Sequence, residues 1–459
     1  MKSISCTTPQ AADLTSLAAL ADPAFSFGVA TAAYQIEGGA TEGGRGPSIW
    51  DHFSHTPGKT VNGDTGDVAC DHFHRWREDL DLIAGLGVDA YRFSIAWPRV
   101  QPAGQGAWNP EGIGFYDRLV DGLLERGIQP HVTLYHWDLP QALQELGGWG
   151  VRDTAHHFAR YAEKMGRLLG DRVSSIATHN EPWCTAFLGH QLGKFAPGLQ
   201  DWALATQVAH HLLLSHGLAL QAMRADGVRA PLGIVLNQSP AHAATDSAAD
   251  QAAAASARRG FVDWFMDPIF KGCYPEDAGE QRAPLQVAPG DMACIQQPLD
   301  FLGLNYYTRI WCSAAQPPVP APCVEGVNDM GWEIHPQGLE ELLLDNQRRY
   351  GHLGLPPLHI TENGMPEADV LQDGAIHDPR RIEYVRSHLL AVARARSQGV
   401  DVRSYFYWSL MDNYEWDSGY AKRFGIVHVD YATQTRTLKD SAHWYRNTIA
   451  ALRAGSGHG

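Results

Sequence analysis

The sequence predicts an α/β protein folded as a single (β/α)8 TIM barrel with extended loops at the C-terminal face of the strands. Three observations support this prediction. Eight short apolar or aromatic runs alternate with amphipathic stretches along the whole chain. The length of 459 residues suits one barrel with insertions. Polar side chains follow most of the runs, at the strand ends where barrels carry their functional groups.

Most of the predicted strands are nearly continuous in apolar or aromatic residues, which is typical of parallel strands buried on both faces. They are Phe25–Ala32, Ala90–Trp97, Gln129–Tyr135, Ser174–His179, Pro231–Asn237, Phe301–Tyr307, Pro357–Thr361 and Ser404–Leu410. The amphipathic stretches between them include Phe73–Leu86, Gly114–Arg126, Thr154–Leu169 and Ala203–Ala225. An open doubly wound sheet is the alternative, but no G-x-G-x-x-G motif follows the first strand.

No convincing linker divides the chain into domains. The Pro-rich segment Gln316–Pro322 is short, and we interpret it as a loop within the domain. We therefore expect an N-terminal extension over residues 1–22 that is partly flexible. Residues 23–450 are expected to form the barrel, and residues 451–459 a C-terminal tail.

Charge and cysteine content restrict the partners and the location of the protein. Lys and Arg total 36 and Asp and Glu total 51, and the resulting net charge of −15 argues against nucleic acid and anionic membranes as partners. Seven cysteines at irregular spacings, with no C-x-x-C motif, indicate a reducing compartment. No clear signal peptide is present, and no apolar stretch approaches the roughly 20 residues of a membrane span. We predict a cytoplasmic protein, and the sequence leaves a homo-oligomer open.

Two glutamate motifs each follow a strand-like run and end in a turn-forming residue. The first is Thr178–Pro182, which reads THNEP, and the second is Ile360–Gly364, which reads ITENG. A carboxylate at the end of a buried strand is poorly placed for solubility and well placed for chemistry. Two such carboxylates, Glu181 and Glu362, suggest the pair that cleaves a glycosidic bond, one as proton donor and one as nucleophile or base. A structural acid is the alternative for either motif taken alone.

The other predicted strand ends are rich in amide, imidazole and indole groups. This mixture suits a ligand with many hydroxyls, because polar groups bind the hydroxyls while aromatic faces stack on the C–H faces of a sugar ring. The residues concerned are Gln35, Arg92, His136, Trp137, Asn180, Asn305, Tyr307, Trp408, Glu415 and Trp416. Glu37 and Glu42 lie near the first of these but lack a partner at a strand end, and we interpret them as structural.

Seven ordered segments resemble the family 1 glycoside hydrolases, the β-glucosidase family, over the chain from Phe25 to about Tyr445. They read AYQIEG at 33–38, YRFSIAWPR at 91–99, HWDLP at 136–140, NEP at 180–182, TENG at 361–364, NYEW at 413–416 and RFGI at 423–426. The resemblance implies a (β/α)8 barrel that hydrolyses β-glycosides with retention. We predict no cofactor and no metal, since the metal-like spacing of Cys70, His72 and His74 falls in a segment that is similar in the family.

The resemblance implies a role for each site residue. Glu181 resembles the family's acid/base and Glu362 its nucleophile, while Arg92 and Tyr307 resemble the groups that keep the nucleophile ionised. Trp332 resembles a residue on the leaving-group side, and Phe424 one beside the 6-hydroxyl of the sugar. The full set of expected substrate-binding residues is Gln35, His136, Trp137, Asn180, Tyr307, Trp332, Trp408, Glu415, Trp416 and Phe424.

Two positions narrow the expected substrate. Relatives that act on 6-phosphorylated sugars carry serine in place of Glu415, and plant thioglucosidases carry glutamine in place of Glu181. We therefore expect β-D-glucosides of short oligosaccharides or of aryl or alkyl aglycones. A β-galactosidase or β-fucosidase is the alternative within the family, and an inactive sugar-binding protein is the alternative from another class. His179 and His190 depart from the apolar or aromatic residue and the tyrosine that are usual in the family.

Overall fold

The computed structural model describes residues 7–276 and 285–456, and within them eight parallel strands close into a barrel. Each strand pairs with the next along the chain, and the last pairs with the first. The strands are β1 (Ser26–Ala30), β2 (Ala90–Ser94), β3 (Gln129–Tyr135), β4 (Ser175–Asn180), β5 (Leu232–Asn237), β6 (Phe301–Asn305), β7 (Leu358–Asn363) and β8 (Val402–Trp408). The predicted (β/α)8 fold is confirmed.

Helices connect the strands and supply the outer layer of the core. The longer ones are α1 (His72–Gly85), α2 (Pro110–Glu125), α3 (Asp153–Leu169), α4 (Trp202–Ala225), α5 (Ala248–Arg258), α6 (Trp264–Lys271), α7 (Pro336–Tyr350), α8 (Pro379–Ser397) and α9 (Asp440–Ser456). Short helices occupy Ala11–Ser16, Ala33–Ile36, Ile49–Ser54, Trp97–Val100, Gln141–Glu145 and Asp291–Ile295, and π-helical turns occupy Cys184–Gln191 and Arg259–Asp263. No helix in these described parts of the chain combines the length and the apolar character needed to cross a membrane.

Local sequence signals set element ends that the periodicity alone misplaced. Helix α2 begins at Pro110, before the predicted start at Gly114, because proline suits the first turn and the Asn109 side chain accepts a hydrogen bond from the next free N–H. Strand β2 ends before the predicted Trp97, since a short helix begins there with Pro98 in its first turn.

Chain segments beyond the predicted barrel limits pack against its helices. Leu17 and Leu20 are fully buried, and the carboxylate of Asp13 pairs with Arg386 of α8 at 2.9 Å. At the other end, α9 continues to Ser456 and runs through the predicted boundary at residue 450. The packed unit is therefore longer at both ends than residues 23–450.

The carboxyl ends of the strands are irregular where predicted site residues lie. The pairing of β4 with β5 shifts register between Ala177 and Asn180. Trp137, Glu181 and Trp416 have φ angles of 79°, 47° and 52°, in the left-handed region that non-glycine residues rarely occupy. Strained backbone of this kind concentrates at functional sites, so these angles point to this face of the barrel.

Glu37 is a buried acid whose charge is balanced inside the protein. Its carboxylate accepts hydrogen bonds from Arg99 Nε at 2.8 Å and from the Tyr116 hydroxyl at 2.5 Å. The Arg99 side chain is fully buried, so water cannot replace this partner. Glu42, by contrast, is exposed and contacts the half-exposed ring of His74.

We predict that Glu37→Ala destabilises the protein strongly, because it leaves the buried guanidinium of Arg99 without its counter-charge. Breaking a buried ion pair in this way costs about 3–5 kcal/mol. The matched control Glu42→Ala removes an exposed carboxylate and should change the free energy of unfolding by less than about 1 kcal/mol. Urea unfolding followed by circular dichroism measures both, and equal midpoints for the two variants would contradict this account.

Candidate active site

A cavity of about 320 Å³ opens at the carboxyl ends of the strands. Ten of the thirteen predicted site residues line it: His136, Trp137, Glu181, Tyr307, Trp332, Glu362, Trp408, Glu415, Trp416 and Phe424. The other three, Gln35, Arg92 and Asn180, each hydrogen-bond to a residue of that lining. Residues from every third of the chain are thus brought into one network.

Glu362, near the end of β7, is a buried carboxylate held by two donors. Arg92 of β2 donates from Nη1 to Oε1 at 2.7 Å, and the Tyr307 hydroxyl donates to Oε2 at 2.6 Å. Burial raises the pKa of Glu362, while the charge and hydrogen bond of Arg92 and then the Tyr307 hydroxyl oppose this rise. Because one of its two donors carries a positive charge, the surroundings of Glu362 favour the ionised carboxylate.

Glu181, directly after β4, has donors that carry no charge. Asn305 Nδ2 donates to Oε1 at 2.7 Å, and the Cys184 thiol donates to Oε2 at 3.0 Å. Burial, and then the negative charge of Glu362, raises the pKa of Glu181 to about 8. At neutral pH the two glutamates therefore differ, with Glu181 protonated and Glu362 the better placed to be ionised.

Hydrogen bonds that begin at Arg92 orient the amides between the two glutamates. Arg92 Nη2 donates to one terminal atom of Asn180 at 2.7 Å, and because a guanidinium can only donate, that atom is the oxygen Oδ1. The Nδ2 group of Asn180 then donates to Nε2 of His136 at 3.1 Å, so the ring proton of His136 lies on Nδ1. Burial, followed by the charge of Arg92, lowers the pKa of His136 well below its ordinary value, and this ring is neutral.

Aromatic rings form a wall of the cavity beside this polar network. The ring of His136 lies nearly parallel to Trp408 and to Trp416, with centroids 5.6 and 5.9 Å away. Trp137 packs on Trp416 with centroids 4.6 Å apart and donates its indole N–H to the Asn180 carbonyl at 2.8 Å. Flat apolar faces thus lie beside hydrogen-bonding groups, the combination that binds sugar rings.

Gln35 and Glu415 form a buried polar pair in the same region. Gln35 Nε2 donates to Glu415 Oε2 at 3.3 Å and to the Tyr414 carbonyl at 2.9 Å, while its Oε1 has no hydrogen-bond partner among the described residues. Burial, followed by the charges of Asp417 and Glu362, raises the pKa of Glu415 to about 8. An unsatisfied buried amide oxygen beside a cavity is suited to accept a hydrogen bond from a ligand hydroxyl.

Trp332 and Phe424 pack around Tyr307, the donor to Glu362. The Tyr307 ring centroid lies 5.5 Å from that of Trp332 and 6.1 Å from that of Phe424. Trp183 adds another indole to the cavity lining and packs edge-on against Phe261 at 4.8 Å. These rings make the remaining surface of the cavity largely apolar.

The two unusual histidines lie outside the cavity lining. His179 hydrogen-bonds through Nε2 to the Ser215 hydroxyl at 2.7 Å and stacks on Phe158 at 4.4 Å. His190 hydrogen-bonds through Nδ1 to the Thr185 carbonyl at 2.8 Å. Burial lowers the pKa of His190 to about 4 and that of His179 well below its ordinary value, so both are neutral parts of the core.

Two residues that contact Glu181 are absent from the predicted site. Asn305 is the last residue of β6 and is among the polar residues that the sequence places at strand ends. Its position could therefore be predicted, but its contact with Glu181 could not. Cys184 reaches the carboxylate because the chain turns directly from Glu181 into the π-helical segment Cys184–Gln191. One cysteine outside any motif offers no such signal in the sequence.

The described residues contain one group with metal-ligand geometry, away from this cavity. Ligand atoms of His242, His335 and Glu341 lie within 4.8 Å of one another. However, Arg309 donates to Nδ1 of His242 at 2.9 Å, so Nε2 of His242 carries the proton and donates to Glu341 at 2.8 Å. Arg309 is a cation that can only donate hydrogen bonds, so its charge disfavours a metal ion at this cluster. The contacts are those of a hydrogen-bonded group.

The fold and the site together define a glycoside hydrolase, with two buried glutamates, one paired with a guanidinium and one with neutral donors, inside a cavity of aromatic and amide groups. The model of Glycosyl hydrolase family 1 matches residues 21–453, and the chain belongs to this family. Enzymes of the family are retaining glycosidases. The resemblance of the sequence motifs is therefore confirmed at the level of the family.

Similar proteins cover nearly the whole chain. The β-glucosidase of an Agrobacterium species is 46% identical over 97% of this chain and 99% of its own length. A bifunctional β-D-glucosidase/β-D-fucosidase of Bifidobacterium breve is 47% identical over 93% and 97% of the two chains. The crystal structure of the β-glucosidase of Exiguobacterium antarcticum superposes with a TM-score of 0.90 at 46% identity, over 94% of this chain and 98% of that one.

We predict that Gly364→Ala sharply reduces hydrolysis of a nitrophenyl β-glucoside. A Cβ at Gly364 would lie 1.7 Å from the carbonyl oxygen of Trp408, so either Trp408 or the end of β7 that carries Glu362 must move. Misplacing a catalytic group by about 1 Å costs on the order of 100-fold in rate. Gly85→Ala is the control, because its Cβ meets no atom within 4 Å. Wild-type kcat in Gly364→Ala would contradict the prediction.

Proposed function

We propose that the protein is a retaining β-glucosidase that removes terminal non-reducing β-D-glucosyl residues from short oligosaccharides and from aryl or alkyl β-glucosides. The observation that carries the proposal is the unequal setting of two buried glutamates in one cavity. Glu362 is paired with a guanidinium, whereas Glu181 has only neutral donors and a pKa of about 8. A retaining glycosidase needs this difference, since one carboxyl group must be ionised while the other is protonated.

Glu362 is proposed as the nucleophile. Arg92 and Tyr307 each hold one of its oxygens, which limits its rotation and favours the ionised form. Attack on the anomeric carbon forms a glycosyl ester and expels the aglycone oxygen. The carbonyl of Thr361 also accepts from Arg92 at 3.2 Å, so the guanidinium stays in place when the carboxylate charge is consumed.

Glu181 is proposed as the acid and then the base. The negative charge of Glu362 is one cause of its raised pKa, so the proton is retained until the leaving oxygen requires it. Once Glu362 is esterified, that charge is gone and the pKa of Glu181 falls. The carboxylate of Glu181 can then take a proton from water, which attacks the ester and restores both groups.

The residues around the pair are proposed to hold the glucosyl ring. The Asn180 amide lies between Arg92 and His136, next to the acid, where it can bind the 2-hydroxyl of the sugar, a contact that strengthens in the transition state. The unsatisfied Oε1 of Gln35 and the Glu415 carboxyl group in the cavity lining are available to the remaining hydroxyls, and the indole of Trp416 supplies a stacking face.

β-Fucoside hydrolysis is the second candidate function, favoured by one comparison. The B. breve relative, 47% identical, is named for both glucosidase and fucosidase activity. A panel of nitrophenyl β-glucoside, β-galactoside, β-fucoside and 6-phospho-β-glucoside tests the proposal. The β-glucoside should be turned over efficiently. Absence of turnover on all four would refute the proposed glycosidase activity. Preference for the phosphorylated sugar would refute the interpretation that Glu415 excludes 6-phosphorylated substrates.

We predict that azide reveals the roles of the two glutamates. Glu362→Ala should lose hydrolysis by a factor of roughly 10⁴ or more, consistent with removal of a nucleophile, and azide should restore turnover of dinitrophenyl β-glucoside as the α-glucosyl azide. Glu181→Ala should instead yield the β-azide, because azide then attacks the intact glycosyl-enzyme. The anomeric proton coupling in NMR spectra distinguishes the products, and exchanged products would mean exchanged roles.

The pH dependence of kcat/KM should fall on the alkaline side near pH 8. Below this pH Glu181 keeps the proton that the leaving oxygen needs, and as pH rises through its pKa of about 8 that proton is lost. Glu415 also has a pKa of about 8, so a substrate whose leaving group needs no proton is used to tell which of the two residues causes the fall. With 2,4-dinitrophenyl β-glucoside, whose dinitrophenolate leaving group departs without a proton, the alkaline fall should disappear. Its persistence would assign the fall to Glu415.

A further inference from the structure

Each oxygen of Glu181 has its own neutral donor, and neither donor belongs to the predicted site. Asn305 Nδ2 donates to Oε1 at 2.7 Å, and the Cys184 thiol lies 3.0 Å from Oε2. We infer that Asn305 and Cys184 are positioning residues for Glu181, with Asn305 fixing Oε1 as a permanent acceptor and Cys184 accommodating the transferable proton on Oε2. The inference rests on the proposed acid/base role of Glu181.

The orientation of the Asn305 amide is determined by its neighbours. Its Nδ2 group faces Asn180 Oδ1 at 3.0 Å, an atom identified as oxygen by the hydrogen bond from Arg92. Its Oδ1 accepts from the Thr361 hydroxyl at 2.7 Å. A flipped amide would place two oxygens against each other and point its NH₂ group at the hydroxyl. The amide group of Asn305 is therefore fixed with its donor toward Glu181.

This fixed donor decides which oxygen of Glu181 carries the acid proton. A protonated carboxyl group has one O–H, and its other oxygen is the stronger acceptor, which is the role that the 2.7 Å hydrogen bond from Asn305 gives to Oε1. The proton therefore resides on Oε2, the oxygen beside Cys184. Glu181 thus presents one defined oxygen to the leaving group.

Cys184 suits an oxygen that alternates between protonated and ionised forms. Burial, followed by the charge of Glu181, raises the pKa of the thiol well above its ordinary value, so it remains S–H. A thiol is both a weak donor and a weak acceptor. Its sulfur can accept from the protonated Oε2, and its S–H can donate to the carboxylate after proton transfer. Because both bonds are weak, the proton stays available to the glycosidic oxygen.

Substitutions at Cys184 should move the alkaline limb of the kcat/KM profile in opposite directions. The substrate is cellobiose, whose leaving group needs a proton. Cys184→Ser supplies a stronger donor to the carboxylate of Glu181, lowers its pKa, and should shift the alkaline limb to lower pH by about one unit. Cys184→Ala removes the donor, raises the pKa of Glu181, and should shift the alkaline limb to higher pH. Loss of packing alone would not separate the two variants in this way, so shifts of the same sign, or no shift in either variant, overturn the role of Cys184.

The role of Asn305 is tested through Thr361, which holds the amide without touching Glu181. Thr361→Val leaves Asn305 Oδ1 without its donor, and kcat/KM for cellobiose relative to that for 2,4-dinitrophenyl β-glucoside should fall about 10-fold, the equivalent of one hydrogen bond. Thr361→Ser keeps the hydroxyl and should restore the ratio. Equal losses on both substrates, or no restoration by serine, overturn the inference. A wild-type protein that hydrolyses neither substrate would refute the proposed function itself.

Discussion

The buried guanidinium of Arg92 is the group on which the rest of the site depends. It can only donate hydrogen bonds, and at 3% exposure it cannot exchange its partners for water. From β2 it reaches Glu362 and the Thr361 carbonyl on β7 and Asn180 on β4, and so connects three strands. Each atom that it contacts must be an acceptor, and this requirement determines the orientation of the Asn180 amide and, through it, of the His136 ring and the Asn305 amide.

The difference between the two glutamates follows from this arrangement. Both are buried, and burial alone would raise the pKa of both in the same direction. Of the two glutamates, only Glu362 is hydrogen-bonded to the guanidinium, which favours its ionised form, and the negative charge of Glu362 adds to the rise in the pKa of Glu181. One cation placed unequally between two acids thereby gives two residues of one type different surroundings, as the proposed roles of acid and nucleophile require.

A second buried ionic cluster holds the loop that completes the cavity. Asp412 follows β8 and accepts from Lys439 and from Arg423, each at 2.7 Å, and from the Gly425 N–H at 3.0 Å. Its loop carries Glu415, Trp416 and Phe424 into the cavity. Buried ion pairs add little net stability because desolvation opposes them, but a partner that is lost leaves an uncompensated charge. They therefore fix geometry, which a strained residue such as Trp416 requires.

The sequence by itself determined the barrel and most of the residues around its cavity, because apolar runs of strand length and motifs at strand ends are local features. It placed Glu181, Glu362 and Arg92 among the candidate site residues, and the family resemblance implied that Arg92 supports Glu362. Only the tertiary structure decided that Asn305 and Cys184 complete the setting of Glu181, and that His179 and His190 stay outside the cavity. The reason is physical: hydrogen-bond partners, burial and pKa depend on distances between strands far apart in the chain, and barrel closure sets those distances.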